Sequence, residues 1–108
     1  MTLDYRLKKE KDFKLVFNKG KRLFCSDFTM LYFKADQLKA GYAVSKKHGK
    51  SVKRNRIKRL LRESFRSFAP LFRENFFFVF IPKVKEDYTL KSFKESMNYL
   101  FKKGGFID

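Results

Sequence analysis

The sequence predicts an α+β protein, a single-domain α-β sandwich whose elements run α-β-β-β-α-β-α. Three observations carry this reading. Residues Phe76 to Ile81 are continuously apolar between Asn75 and Pro82, the pattern of a strand buried on both faces. Two stretches, 52–68 and one that begins after Asp87, repeat their apolar residues at helical spacing. Between residues 22 and 45 the chain holds three short β-prone pieces separated by turn residues. A chain of 108 residues with 44% hydrophobic content suits one domain spanning 1–108. A domain of that size buries roughly two-thirds of its unfolded surface.

Taken in order, residues 10–19 form the first predicted helix. Phe13, Val16 and Phe17 recur at helical spacing, and Gly20 falls where a left-handed C-terminal cap would sit. Strands are expected at 22–25 and 28–33, with a turn at Asp36-Gln37 and a third strand over 41–45. Ser51 is placed to cap a helix over 52–68. At about 100° per residue, Ile57, Leu60, Leu61, Ser64, Phe65 and Phe68 fall on one face of it. Asn55, Lys58, Arg59, Arg62 and Arg66 fall on the other, and Pro70 ends the pattern. In the closing helix Leu90, Phe93, Met97, Leu100 and Phe101 keep a 3-4-3 rhythm until Gly104-Gly105 stops it.

The charge is extreme and local. Formal net charge is +16, from 27 Lys and Arg against 11 Asp and Glu. Residues 45–66 hold ten of the cations (Lys46, Lys47, Lys50, Lys53, Arg54, Arg56, Lys58, Arg59, Arg62, Arg66) and one acid, Glu63. A folded helix this basic needs a polyanion as partner, and nucleic acid is the polyanion that fits. The helix is too basic around its circumference for a membrane-interface anchor, and no apolar run reaches the ~18 residues of a span. One cysteine, Cys25, excludes an intrachain disulfide and agrees with a cytoplasmic location. The chain has no signal-peptide core at its N-terminus. Fifteen Phe and five Tyr without Trp leave two uses open for any one ring: filling the core or stacking on an unpaired base.

Chemistry for independent catalysis is missing. A nuclease acting alone wants clustered carboxylates or an acid-base set, and the acids here are scattered with no D-x-D or E-x-x-H arrangement. His48, the only histidine, stands in a Lys/Gly loop and reads as a satisfied surface side chain. Cys25 reads as a strand residue. Phosphate-cradling glycine loops are not present. The polypeptide is therefore expected to have no catalytic residues of its own.

The central block resembles the protein subunit of bacterial ribonuclease P. In that family a strand ending Val-Ser-Lys-Lys leads through a Gly loop into Arg-Asn-Arg-x-Lys-Arg-x-x-Arg-Glu on a helix. Here the residues are Val44-Ser45-Lys46-Lys47, Gly49, Arg54-Asn55-Arg56, Lys58-Arg59 and Arg62-Glu63. Asp12-Phe13, Val16-Phe17 and Gly20 match the family's first helix, and the 76–81 strand and closing helix extend the resemblance over nearly the whole chain. His48 and Lys50-Ser51 depart from it, standing where an aliphatic residue and an Asn-Ala pair are more usual. Tyr42-Ala43 likewise replace a commoner Leu-Ser pair.

The resemblance implies a noncatalytic protein bound one-to-one to a large catalytic RNA. That RNA, with magnesium (Mg2+) held mainly by RNA and substrate, removes the 5′ leader of precursor tRNA, and the protein grips the leader. The implied fold is ribosomal protein S5 domain 2-like, with a left-handed β-α-β crossover against the usual rule. Asn55, Arg59, Arg62 and Arg66 then form one wall of a leader cleft, where guanidinium forks hold phosphates or lie on bases. Phe13 and Phe17 either stack on the leader or pack the first helix on the sheet. Met30 and Tyr32, on one strand face, are placed at the cleft floor, although a one-residue slip would exchange the faces. Lys46, Lys47, Lys53, Arg54, Arg56 and Lys58 are assigned to the catalytic RNA, against the alternative of a solvated basic face. Two other readings stand beside this one: a ribosomal protein of similar fold, and a DNA-binding module with the basic helix in the major groove.

Overall fold

The computed structural model describes residues 4–108. The elements are α1 (Glu10–Lys19), β1 (Lys21–Phe24), β2 (Phe28–Lys34), β3 (Lys39–Tyr42), α2 (Ser51–Phe68), β4 (Phe76–Pro82) and α3 (Leu90–Lys103). The strands form one sheet in the order β1-β2-β4-β3. β4 lies inside it, antiparallel to β2 and parallel to β3, so β3, α2 and β4 make a β-α-β unit with adjacent strands. This is the α+β order read from the sequence.

The apolar run of β4 follows from its position. Alternate side chains of a strand leave opposite faces of the sheet, and both faces here are covered. Phe76, Phe78 and Phe80 enter a large core with Phe28 and Met30 of β2, beneath α2 and α3. Ile57, Leu60, Leu61 and Phe65 come down from α2, and Phe93, Met97, Leu100 and Phe101 from α3. Phe65 and Phe101 meet edge to face at 6.3 Å, and Phe72 meets Phe101 at 4.8 Å. Each fully buried ring of this kind contributes roughly 1.5–3 kcal/mol from removed apolar surface. Phe77, Val79 and Ile81 point the other way, into a smaller core with Leu31, Leu7 and Val16 under α1.

Several local expectations change. The third strand is 39–42 rather than 41–45, because the N-terminal segment pairs with its edge: Leu7 N–H donates to Ala40 O (2.9 Å) and Ala40 N–H to Tyr5 O (2.6 Å). Gly20 is extended (φ −71°, ψ 157°), not left-handed. Its requirement is steric, since a Cβ there would lie 2.4 Å from Val16 O and 3.0 Å from Tyr32 O. Ser51 is the first residue of α2 rather than its cap; Lys50 holds the cap position without a side-chain bond. The turn into α2 depends instead on Gly49, whose φ of 116° favours glycine. His48 is satisfied but not on the surface: it is buried.

Asp27, in the β1–β2 turn, is the buried acid that joins the layers. It accepts from Ser92 Oγ and Ser96 Oγ of α3, both at 2.6 Å, and pairs with Lys85 Nζ. Lys83 N–H donates to its carbonyl at 2.9 Å. Burial pushes its carboxyl upward, but the Lys85 ammonium and the two hydroxyls outweigh this and hold it below the ordinary value.

A folded-state value below the unfolded one contributes stability above the unfolded value, lost as pH falls through the folded one. Asp27→Ala is therefore expected to lower unfolding free energy by about 2 kcal/mol at pH 7, below the ~3–5 kcal/mol for breaking a fully buried pair because Lys85 is partly exposed. Urea unfolding should show the difference between the proteins shrinking below about pH 4.

Candidate nucleic-acid interface

The α2–α3 face of the sheet is closed, and the face under α1 is only partly covered. That difference decides which predicted residues are available. Met30 is fully buried in the large core, and Tyr32 on the same strand face packs edge-on against Phe76 (6.1 Å) and Phe106 (5.0 Å). Neither lies at the floor of an open cleft on the α1 side. The register places Met30 opposite Phe80 and Leu31 opposite Val79, so the set on the α1 side is Thr29, Leu31 and Phe33. The two sets are one residue apart, and strand sequence alone does not choose between them.

Phe13 and Phe17 divide between the two roles left open for them. Phe13 anchors α1: a Cβ on Gly41 would stand 2.4 Å from its ring, so the ring lies directly on the β3 backbone. Phe17, one turn on, is 39% exposed. It borders an open groove of about 600 Å³ whose floor is Thr29, Ala43 and Ile81. One wall is the turn after β3, with Val44, Ser45, Lys47 and His48; the other end is closed by Lys83 and Val84. The charged residues of this lining are both cations and none is an acid. The groove combines an aromatic ring with positive charge, the two elements that single-stranded nucleic acid requires. Thr29, Ala43, Ile81 and Val84 were not singled out from sequence; only the alternation of β2 and β4, once registered, brings them together.

α2 carries the stripe as expected. Asn55, Arg59 and Arg66 are exposed and Arg62 is half-buried. The stripe runs down the β3 side of the sandwich, because Tyr42 of β3 feels both Arg62 and Arg66. Burial raises the Tyr42 phenol, and the two guanidiniums oppose that rise. Arg54 Nε and Arg62 Nε are buried with no acceptor among the described residues, donors that the fold leaves unspent. Lys46, Lys47 and Arg56 are exposed, and Arg54 and Lys58 are half-buried. Lys53 has another task. Its ammonium donates to Lys85 O (3.3 Å) and Glu86 O (3.2 Å) and sits 5.7 Å from the Tyr88 ring centroid, clamping the 83–88 loop to α2.

Among the described residues no three of His, Cys, Asp and Glu are gathered where they could hold a metal ion. Asp27 is engaged by Lys85 and two serines, and Asp4 by Lys8 (2.8 Å) and Arg6 (3.2 Å). Among the described residues no helix is long and apolar enough to cross a membrane.

A mixed four-stranded sheet, an aromatic groove beside α1 and a cationic crossover helix define a small basic α+β domain. The family model for ribonuclease P matches residues 1–105. The ribonuclease P protein component of an Exiguobacterium species is 37% identical over 105 residues, covering 95% of this chain and 92% of that protein. That of Caldanaerobacter subterraneus subsp. tengcongensis is 42% identical over 102 residues, covering 91% and 87%. Among solved structures, the RNase P protein of Staphylococcus aureus superposes with a TM-score of 0.84 at 27% identity, over 98% of this chain and all of that one. That of Thermotoga maritima gives 0.79 at 33% identity, over 91% and 96%. The chain belongs to the ribonuclease P protein family.

The close approach of Gly41 to Phe13 yields a test of how the groove is built. Gly41→Ala should force Phe13 and α1 off the sheet, lowering stability by about 1–3 kcal/mol in denaturant unfolding, the usual range for overpacking. The Phe17 side chain should move with the helix, read as a changed quench of a fluorophore placed on α1.

Proposed function

We propose that this chain is the RNA-binding subunit of a ribonuclease P holoenzyme in tRNA processing. It joins the catalytic RNA one-to-one and holds the single-stranded 5′ leader of precursor tRNA. The observation that carries this reading is the groove beside Phe17, open, aromatic and bordered by cations without an acid. Phe17 supplies a ring on which a base can stack. Arg59, Arg62 and Arg66, with Asn55, form a separate line of donors along α2 for phosphates and base edges. Lys46, Lys47, Arg54, Arg56 and Lys58 at the start of the helix are assigned to the catalytic RNA.

In this reading hydrolysis belongs to the RNA, and magnesium is bound by RNA and substrate. This accords with acids that are scattered or committed to ion pairs. The protein binds, orients and neutralises, and it works in the cytoplasm, where both RNAs are made.

The decisive assay is cleavage of a 5′-extended precursor tRNA by the cognate RNA at low magnesium, with and without the protein. Strong rescue, with no cleavage by protein alone, is the expected outcome; no rescue with folded protein and active RNA would sink the proposal. Phe17→Ala should weaken binding of leader-bearing precursor about 5- to 150-fold, the equivalent of one lost stack, and leave mature tRNA nearly unaffected. Arg59→Ala should reduce the slope of log affinity against log salt by about 0.7–0.9 for each phosphate that the side chain had neutralised. Equal losses on precursor and mature tRNA would remove the leader from the groove.

A further inference from the structure

The turn that forms the groove wall is held by a side chain that the proposed RNA contacts leave unused. His48 is 5% exposed. Ser45 N–H donates to its Nδ1 at 3.1 Å, and its Nε2 lies 2.7 Å from the carbonyl oxygen of Pro82, the last residue of β4. A carbonyl only accepts, so Nε2 must carry the proton; the amide only donates, so Nδ1 must be bare. Only the neutral, Nε2-protonated ring satisfies both. His48 also fills the reciprocal place in a capping box with Ser45, the role that Glu or Gln ordinarily takes.

We infer that His48 is a positioning residue for the groove. As a neutral latch it ties the 45–49 turn to the end of β4 and so fixes Lys46, Lys47 and the wall facing Phe17. This rests on the groove reading given above. The latch spans 34 residues of sequence and is the side-chain bond that joins this turn to β4. Beyond it, Gly49 reverses the chain with φ 116° directly into α2, so the latch also sets where α2 starts.

Protonation would undo the arrangement. A proton on Nδ1 faces the Ser45 N–H, donor against donor. The ring could turn its new proton only to Ser45 O, 3.2 Å away, an oxygen that already accepts His48 N–H at 3.0 Å. The Ser45 amide would be left unpaired. The added charge would also join Lys46 and Lys47 of its own turn and Lys83, which follows β4 and lines the same groove. From α1 the groove receives the uncharged Phe17. Asp27, bonded through its backbone to Lys83, spends its carboxylate on Lys85, Ser92 and Ser96.

The test uses the full chain with His48→Gln and His48→Leu. Glutamine can accept from Ser45 N–H and donate to Pro82 O; leucine can do neither. Binding of leader-bearing precursor relative to mature tRNA is measured at pH 7.5. His48→Leu should lose about five- to tenfold of the native leader preference, the effect of one lost hydrogen bond. His48→Gln should retain that preference. In the RNA-free protein, the Ser45 amide should be protected from exchange at pH 7.5 and in His48→Gln, and exposed in His48→Leu. Native leader preference in His48→Leu, a loss in His48→Gln as large as in His48→Leu, or an unprotected Ser45 amide at pH 7.5, would overturn the inference. If Phe17→Ala leaves leader preference intact, the groove reading fails instead, and the Ser45 amide still judges the latch without any RNA.

Discussion

Everything in this fold depends on one strand that is buried from both sides. β4 supplies Phe76, Phe78 and Phe80 to the core beneath α2 and α3, and Phe77, Val79 and Ile81 to the core beneath α1. It also fills the ladder between β2 and β3, so its backbone groups are paired on both edges. A polar residue at either parity would carry an unpaired group into one of the two cores. The aromatic density of the chain serves this strand first. Phe65, Phe72, Phe101 and Phe106 converge on Phe78 from α2, the loop after it, α3 and the C-terminal turn.

The rigidity of that centre is what allows the surface to be so strongly charged. A net charge of +16 opposes compaction through self-repulsion, and the acids inside the protein relieve little of it. α2 resolves the conflict by its periodicity: Ile57, Leu60, Leu61 and Phe65 fasten it to the sheet, and the arginine stripe is held out along the β3 side. The cations are thus fixed to a packed helix rather than to a tail. Their side chains lose less freedom on binding than those of a flexible basic segment, which is the value of preorganisation.

The groove is shaped by what α1 does not cover. Phe13 seats the helix on Gly41, and this seating leaves the next turn, with Phe17, standing over Thr29, Ala43 and Ile81. The wall opposite is the His48 turn, tied to Pro82. Two structural contacts, one aromatic and one polar, therefore set the width of an opening whose own lining is largely apolar. Asp27 acts at the same end of the sheet, beside Pro82 and Lys83, where it fastens the β1–β2 turn to α3.

The sequence by itself determined the elements, the double burial of β4, the basic face of α2 and the family. These features are periodic or contiguous, and a helix or strand period can be read from spacing alone. Tertiary structure alone decided what needed register or a distant partner. It put Met30 inward and Thr29 outward, because a strand's two faces differ by one residue. It made Phe13 an anchor and left Phe17 free, because Gly41 lies under only one of them. It turned His48 from a surface residue into a buried latch, because its acceptor is a carbonyl 34 residues away. It drew Lys53 onto the 83–88 loop through carbonyls that no charge pattern marks. Hydrogen-bond partners remote in sequence leave no periodic trace, and those partners are what separate a structural residue from an available one.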